Sequence, residues 1–449
     1  MKNHTRSVTT LPDIELPLVD GAGTNDGRSG RMTDNLFAAE QPVTLDLSFV
    51  RSQFPAFSEP TLEGWVFCEN AGGSYPCRAV TERLAGFYEQ TKMQPYYPAT
   101  PSLDAGKAMD EARARLANWL GVETDWVSLG PSTTQNTYVL SQAFGEWLNP
   151  GDVVVVTNQD HESNSGPWRR LASRGIEVRE WSVDQETGRL DESDLKALLC
   201  DRVKLVAFPH CSNIIGEINP AADWVELIHA EGALACVDGV SFAPHGLPNI
   251  PSLGADIYLF STYKTFGPHQ GVMVIDPALA HQLPNQGHEF NGDNPVKRLT
   301  PAGPDHAQVA AIAGIVDYFE QLDTHHYPGS DPAHASSRVR ALVRGQEEGL
   351  TTALLTHIDG LNHAQLLGPR EPAVKAPTIS LHCARPGIEV ARDLAERGII
   401  AGGGDFYGGR VLDALGIDRS HGVLRLSLAH YNSIDDVEKV ASALASVVG

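Results

Sequence analysis

Cysteine is scarce in this 449-residue chain, and the few cysteines lie far apart in the sequence. They are Cys68, Cys77, Cys200, Cys211, Cys236 and Cys383. Disulfide scaffolds and structural zinc sites need cysteines at characteristic paired spacings, which this pattern does not contain. The cysteine usage therefore argues against a disulfide-rich secreted fold and favours a reducing compartment, the cytoplasm.

Positive charge and long apolar runs are also scarce. The chain has 34 Lys and Arg against 56 Asp and Glu, a formal net charge of −22. Binding to nucleic acid or to anionic membranes depends on clustered Lys and Arg, so we expect neither partner and favour a small-molecule ligand. No apolar run reaches the roughly 18 residues of a membrane span, and the polar N-terminus lacks the apolar core of a signal peptide. We therefore expect no membrane segment and no export.

The length and composition are sufficient for two globular domains. Hydrophobic residues make up 42% of the chain, with 42 Gly and 29 Pro, and a chain of this size can bury a large core. We predict an N-terminal tail over residues 1–45 and an arm over 46–76 that contributes to the smaller domain. The larger domain is predicted over 77–325 and a smaller C-terminal α+β domain over 326–449. The polar segment His325–Ser337 is the predicted hinge between them.

Short apolar runs alternate with helix-length segments from residue 126 onwards. The runs predicted as strands are Trp126–Leu129, Val153–Thr157, Ile176–Glu180, Val203–Phe208, Ala233–Val237, Asp256–Ser261 and Gly271–Ile275. This alternation indicates a mostly parallel sheet with helices on both faces. The last run follows its predecessor too closely for a helical crossover, so it is the candidate antiparallel strand. The predicted fold is α/β, with a mostly parallel seven-stranded sheet.

Polar residues directly after these strands are candidate ligand-binding groups, because open α/β sheets bind ligands beyond the carboxyl ends of their strands. Ser132, Thr133 and Thr134 follow the first strand at the start of a helix, where hydroxyls and amides can bind a phosphate. His161 follows the second strand, and its imidazole can stack on a planar cofactor or transfer a proton. Asn213 can donate to a phenolic oxygen. Taken singly, these residues are equally typical of helix caps, solvated loops and turns.

Two further residues complete this constellation. Asp238 ends a strand of Ala, Leu, Cys and Val, where a carboxylate is costly without a cation such as a protonated pyridine nitrogen. A structural cap or an ordinary ion pair is the alternative. Lys264 follows the next strand between Tyr263 and Phe266, where a partly desolvated amine can become a Schiff-base nucleophile. Alone it is more typical of a solvated loop. Together these residues supply the parts of a pyridoxal phosphate site.

Seven motifs carry a resemblance to a known family. In chain order they are VRSQFPAF, ENAGGSYP, DHESNSGPW, HCSNIIGEINP, CVDGVSF, FSTYKTFGPHQG and LRLSLAHYN. With them the chain resembles the class V aminotransferase family of fold-type I pyridoxal phosphate enzymes, nearest the cysteine desulfurase and selenocysteine lyase group. The resemblance implies pyridoxal 5′-phosphate as cofactor. It also implies a homodimer, because cofactor sites of this fold usually lie at a dimer interface.

The same resemblance implies a role for each site residue. Lys264 would form the Schiff base and move protons, and Asp238 would hold the pyridine nitrogen protonated. His161 would stack on the ring, while Asn213 would face its phenolic oxygen. The phosphate would be contacted by Thr133, Thr134, Ser261 and Tyr263. Arg425 would bind the substrate carboxylate in a bidentate manner, although a surface arginine on a strand is the alternative.

Three departures from the family pattern bear on function. Segment Gly402–Arg410, GGGDFYGGR, contains no cysteine where desulfurases carry their nucleophile, so a persulfide step lacks its acceptor. Ser241 stands where relatives carry a glutamine near the phenolic oxygen. The threonine that reaches the phosphate across the dimer has no clear match, and Thr300 or the turn Gly303–His306 are the candidates.

The leading functional hypothesis is β-elimination from an amino acid, with cleavage of a C–S or C–Se bond and formation of pyruvate and ammonia. Lys264 would remove the Cα proton. Asp238 would support transamination equally well, so that reaction is the second hypothesis and racemisation or epimerisation the third. A non-catalytic pyridoxal phosphate binder is a further alternative. A metallohydrolase would have to use His161, His245, His269 and His288, which lack the tight spacing of metal ligands, and we predict no metal site.

Overall fold

The computed structural model describes residues 43–448, so the tail predicted for residues 1–45 lies almost wholly outside the described residues. The strands in this range are β1 (Val66–Phe67), β2 (Val127–Gly130), β3 (Val153–Thr157), β4 (Glu177–Trp181), β5 (Val203–Pro209), β6 (Leu234–Asp238), β7 (Ile257–Ser261), β8 (Gly271–Ile275), β9 (Ala364–Leu367), β10 (Thr378–Cys383), β11 (Ile399–Ile400), β12 (Gly402–Gly404) and β13 (Val423–Ser427). The α-helices are α1 (Leu47–Ser52), α2 (Arg78–Gln90), α3 (Thr100–Leu120), α4 (Thr133–Trp147), α5 (Glu162–Arg169), α6 (Glu192–Leu198), α7 (Ala221–Ala230), α8 (Ile250–Leu253), α9 (Pro277–Gln282), α10 (His306–Ala311), α11 (Ala313–His326), α12 (Ala335–Ile358), α13 (Gly387–Ala395), α14 (Gly409–Ala414) and α15 (Ile434–Val448).

Seven strands form one sheet in the order β2-β8-β7-β6-β5-β3-β4. The neighbours from β7 to β4 are parallel, and β8 is antiparallel to both β7 and β2. Strands such as β3, with the sequence VVVVT, are buried at every position, as expected for a sheet covered on both faces. The predicted α/β fold is confirmed, including the antiparallel strand.

The apolar pattern of the sequence predicts one long helix over Gln308–Leu322, but the structure has two helices there, α10 and α11, which meet at Ile312. The backbone tightens there, since the N–H of Ile312 donates to the carbonyl of Val309 three residues earlier. Gly314 lies directly on the backbone of Val80 in α2, where a β-carbon would approach the Val80 nitrogen to 2.5 Å. Close packing on α2 thus accompanies the break. Helix α11 then continues to His326, into the segment predicted as a hinge.

A second sheet has the order β12-β13-β10-β9 and is antiparallel throughout. Its apolar side chains form a separate core with α12, α13 and α15, and Val66 of β1 belongs to that core. The domain limits at residues 46, 77 and 326 remain our proposal. None of the helices in the described part of the chain is long and apolar enough to cross a membrane.

The loop after β5 is bound to the second sheet through its backbone. Four successive carbonyls, those of residues 213–216, accept hydrogen bonds from the C-terminal part of the chain. The donors, in order, are Arg425 Nη1 (3.1 Å), Ser380 Oγ (2.6 Å), Lys375 Nζ (2.6 Å) and Ala376 N (2.8 Å). This loop carries Asn213, so its position depends on both sheets.

Phe54 should be one of the costliest core positions to truncate. Its ring is fully buried, with its centroid 4.8 Å from that of Tyr431 and 5.1 Å from that of Tyr318. We expect Phe54→Ala to lower the free energy of unfolding by about 3–5 kcal/mol, because the cavity can collapse only partly. Urea unfolding followed by circular dichroism measures this loss. Ile388→Ala, at a position 51% exposed, is the control and should change little; equal losses in both variants would contradict the packing argument.

Candidate active site

The carboxyl edge of the large sheet encloses a cavity of about 250 Å³. Its lining consists of Ser132, Thr133, Thr134, Asp160, His161, Ser163, Pro209, Cys211, Asn213, Asp238, Val240, Ser241, Ser261, Tyr263, Lys264 and His269. Nine of the ten site residues predicted from the sequence are in this set, and Arg425 is the exception. They meet because the strands that precede them end at the same edge of the sheet.

Lys264 lies in a single helical turn after β7 and is only 6% exposed. Burial lowers the pKa of its ammonium group from the ordinary 10.5 to about 8. The positive charge of Arg425 lowers this pKa as well, while the negative charges of Asp238 and Glu69 oppose the shift. A lysine with such a pKa has a substantial neutral fraction near neutral pH, as a nucleophilic amine or a general base requires.

Asp238 is the last residue of β6 and is buried among apolar strand residues. The N–H of Val240 donates to Oδ1 at 2.8 Å, whereas Oδ2 is buried and has no hydrogen-bond partner within residues 43–448. Burial raises the pKa of Asp238 to about 6. A second carboxyl group, that of Asp160, borders the same cavity, and burial together with repulsion from Asp238 raises its pKa well above the usual value. Asp160 directly precedes His161 and was not among the residues predicted from the sequence.

These two carboxyl groups need a cation. Asp238 lines the cavity and its Oδ2 has no partner among residues 43–448, so a pyridinium N–H of a small planar ligand would provide both the missing hydrogen bond and the missing charge. The residues present therefore fit pyridoxal phosphate, with Asp238 at the ring nitrogen and Lys264 at the aldehyde.

His161 caps the start of α5, and its Nδ1 accepts from the backbone N–H of Ser163 at 3.0 Å. That hydrogen bond requires Nδ1 to be unprotonated, so the neutral ring carries its proton on Nε2. Burial lowers the pKa of His161 to about 3, and the positive charges of Lys264 and Arg425 act in the same direction. The imidazole is therefore neutral near pH 7, and it can stack on a ring without adding charge.

The other end of the cavity is lined by hydroxyl groups at the N-terminus of α4. The hydroxyls of Thr133 and Ser261 lie 2.7 Å apart. Hydroxyls and free N–H groups at the start of a 15-residue helix favour a phosphate. Tyr263 stacks on His269 with ring centroids 4.7 Å apart. The sequence analysis considered His269 only as a metal ligand, although it borders the same cavity.

Asn213 and Arg425 differ from their expected environments. One N–H of the Asn213 side-chain amide donates to the carbonyl of Phe406 at 2.9 Å, which leaves only its second N–H for a phenolic oxygen. Arg425 is 2% exposed, and its Nη2 donates to Glu69 Oε1 at 2.5 Å. Phe406 covers the guanidinium, with its centroid 3.7 Å from Cζ. Glu69 was not among the residues predicted from the sequence, although it opens the motif ENAGGSYP.

The candidates for a phosphate contact across the dimer do not line the Lys264 cavity themselves. Thr300, Gly303 and His306 line a cavity of about 610 Å³. Thr300 and Gly303 also line one of about 740 Å³, which shares Ser132, Thr134 and His269 with the Lys264 cavity. In the described part of the chain, no group of three or more His, Cys, Asp or Glu residues is arranged to hold a metal ion.

Comparison with known proteins agrees with this arrangement. The family model described as Aminotransferase class-V matches residues 66–294. An aminotransferase-like protein of Gibberella zeae is 31% identical over 89% of this chain and 98% of its own length. A probable cysteine desulfurase of Pseudomonas aeruginosa is 28% identical over 88% of this chain and 96% of its own length. The solved apo structure of a cysteine desulfurase from Thermococcus onnurineus superimposes with a TM-score of 0.78 at 24% identity, over 89% of this chain and 98% of that one.

Fold and cavity together define a fold-type I pyridoxal phosphate enzyme, in which a buried lysine and a buried aspartate line one cavity at the edge of a mostly parallel sheet. More specifically, the chain belongs to the class V aminotransferase family, and pyridoxal phosphate is its cofactor.

The lowered pKa of Lys264 can be measured in cofactor-free protein. Reductive methylation with formaldehyde requires the neutral amine, so labelling of Lys264 should rise with pH through a midpoint near 8. Asp238→Asn should lower that midpoint, because it removes a negative charge that favours the ammonium form. Arg425→Leu should raise it, because it removes a repelling cation. Mass spectrometry of the peptide that contains Lys264 measures labelling, and a midpoint that neither substitution moves would contradict the electrostatics.

Proposed function

We propose that this enzyme is a Cβ lyase, which eliminates a sulfur or selenium leaving group from an amino acid without forming a protein persulfide. One observation carries the proposal: the cavity combines a buried reactive lysine with a neighbouring loop that presents aromatic rings in place of a thiol. Tyr407 in this loop has its ring centroid 5.4 Å from that of His161. Segment 402–410, which contains the loop, has no cysteine.

The cysteines elsewhere support the same conclusion. Cys211 borders the cavity, but its thiol donates to the carbonyls of Ser212 and Gly216 at 3.7 and 3.8 Å, and burial raises its pKa to about 12. The backbone N–H of Arg202 lowers the pKa of Cys200. Cys200 precedes β5, however, so it lies at the edge of the sheet opposite the cavity. Thiolates are the nucleophilic form of cysteine, so a protonated Cys211 is a poor sulfur acceptor.

The site residues can perform the elimination as follows. Bound pyridoxal phosphate supplies a ring that draws electrons from Cα. Asp238 would hold the proton of the ring nitrogen. Lys264, released once the substrate amine has replaced it at the cofactor and neutral in part at physiological pH, would accept the Cα proton. The leaving group would depart from Cβ with its bonding electrons, and addition of water to the remaining fragment would give pyruvate and ammonia. Neutral His161 would stack on the ring and exclude water from that side.

Transamination is the second candidate, since the Gibberella zeae relative is named an aminotransferase-like protein. Lys264 and Asp238 would serve it equally well, and the same holds for racemisation. A non-catalytic role is the least supported, because a purely structural cofactor site does not require a buried amine with a lowered pKa.

We also propose a homodimer as the active form. Phe290 is 84% exposed and lines the cavity of about 610 Å³ with Tyr96, which is 52% exposed. Exposed aromatic side chains around a concavity are typical of protein interfaces. The cytoplasm is the proposed compartment, because all six cysteines are free.

A parallel product assay separates these reactions. Purified enzyme incubated with cysteine, selenocysteine, alanine and other amino acids should release pyruvate and ammonia together with sulfide or selenide from the first two. A keto acid formed only when an acceptor is present would favour transamination, and loss of optical activity alone would favour racemisation. Lys264→Ala should lower turnover by about a thousandfold or more, since it removes the proton-transfer group. Unchanged turnover in Lys264→Ala would refute the assigned role.

The absence of a persulfide step predicts that cysteines are dispensable. The double variant Cys200→Ser/Cys211→Ser should keep at least about half of the wild-type turnover, because neither thiol is a nucleophile in this scheme. Release of sulfide from cysteine measures the effect. Cys383→Ser, buried in the second core, is the control for a purely structural change. A loss of about a hundredfold in the double variant but not in the control would restore the desulfurase mechanism.

A further inference from the structure

The guanidinium of Arg425 already binds a carboxylate of this chain. Nη2 donates to Glu69 Oε1 at 2.5 Å, and Nη1 donates to the carbonyl of Asn213 at 3.1 Å. The ring of Phe406 covers one face at 3.7 Å. Nε is buried and has no hydrogen-bond partner in the part of the chain that the structure describes. A substrate carboxylate therefore meets an arginine whose charge is already neutralised.

The position of Glu69 is determined by the backbone and by two glycines. Glu69 forms a parallel bridge with Ser427, two residues after Arg425 in β13, which brings the two side chains together. A β-carbon at Gly72 would approach Glu69 Oε1 to 2.8 Å, and one at Gly402 would approach Oε2 to 2.7 Å. Two distant segments thus both leave room for this carboxylate. Oε2 is buried without a hydrogen-bond partner among residues 43–448.

We propose that Glu69 is a specificity-determining residue, which occupies the carboxylate-binding position at Arg425 until a substrate carboxylate displaces it. The inference rests on the proposed function, in which Arg425 receives the substrate carboxylate. Two carboxylates at one buried guanidinium repel each other, so substrate and Glu69 exclude each other. The Glu69 side chain is 20% exposed, and rotation towards solvent releases the position.

This competition lowers the affinity of every carboxylate ligand for Arg425. A simple carboxylic acid has no further group that reacts in the site, so it binds weakly. An amino acid still binds, because its amine reacts with the cofactor and adds binding energy. Pyruvate, the expected product, has no amine, and Glu69 displaces it from Arg425. The internal carboxylate therefore keeps simple acids out of the site and promotes product release.

Propionate is the probe, because it has a carboxylate and no amine. Isothermal titration of the cofactor-loaded enzyme should show that Glu69→Gln binds propionate at least about tenfold more tightly than the wild type, since a neutral amide competes less well for the guanidinium. Glu162→Gln is the matched control: Glu162 pairs with Arg410 at 3.2 Å in an exposed ion pair at the same loop. This control should bind propionate as the wild type does. Arg425→Gln should abolish propionate binding with either residue at position 69.

Equal affinity for propionate in the wild type and in Glu69→Gln would overturn the proposal. If Glu69→Gln is too unstable for titration, propionate binding can be measured as the rise in Tm that propionate causes. A larger rise in Glu69→Gln than in the wild type supports the proposal, and an equal rise in both overturns it. The test is separable from the proposed lyase activity. Cofactor-free protein should show the same difference in propionate affinity between the wild type and Glu69→Gln, so this result stands even if the lyase assay fails. Normal lyase turnover together with equal propionate affinities would refute the role of Glu69 and leave the lyase function standing.

Discussion

The cost of burying the Asp238 carboxylate is the constraint on which the site depends. One of its oxygens receives a backbone hydrogen bond, and the other has no partner in the described range. The buried carboxyl group of Asp160 makes the environment still less favourable for negative charge. The charge of Lys264 offsets this cost only in part: it lowers the pKa of Asp238, yet burial still raises that pKa to about 6. A ring with a protonated nitrogen, bound against Asp238, would resolve this imbalance, while Lys264, which lines the same cavity, would form the Schiff base.

The strand order brings the two ends of the cofactor site together. Gly271, the first residue of β8, pairs with Gly130 of β2 on one side and with Ser261 of β7 on the other. A β-carbon at Gly271 would lie 2.3 Å from the Ser132 backbone, so only glycine lets the start of α4 approach this closely. The antiparallel strand therefore places the helix terminus suited to a phosphate beside the turn that carries Lys264. The contact between the Thr133 and Ser261 hydroxyls is a consequence of this arrangement.

The sequence predicted the sheet and the cavity lining well, because both depend on local patterns. Apolar runs define the strands, and the residues after parallel strands necessarily meet at one edge. The environment of Arg425 could not be predicted in this way. Its partner Glu69 lies 356 residues away, and their contact depends on how β13 packs beside the segment after β1. Phe406 covers the guanidinium for the same non-local reason. Asp160 was visible in the sequence, but only the folded structure shows that it shares a buried region with Asp238.

The two sides of the site differ in how firmly the fold holds them. On the Asn213 side, four successive backbone carbonyls are bound by groups of the second sheet and of the segment just before β10, which fixes this loop. On the Glu69 side, Arg425 is contacted by the long Glu69 side chain and by the ring of Phe406. Phe406 lies in a turn, in which it and Tyr407 have φ values of 48° and 57°. Left-handed backbone at two consecutive non-glycine residues is unfavourable and persists only where surrounding contacts hold it. In our proposal, the loop bound through its backbone positions the cofactor, whereas selection of the substrate carboxylate depends on the rotamer of the Glu69 side chain, which is 20% exposed.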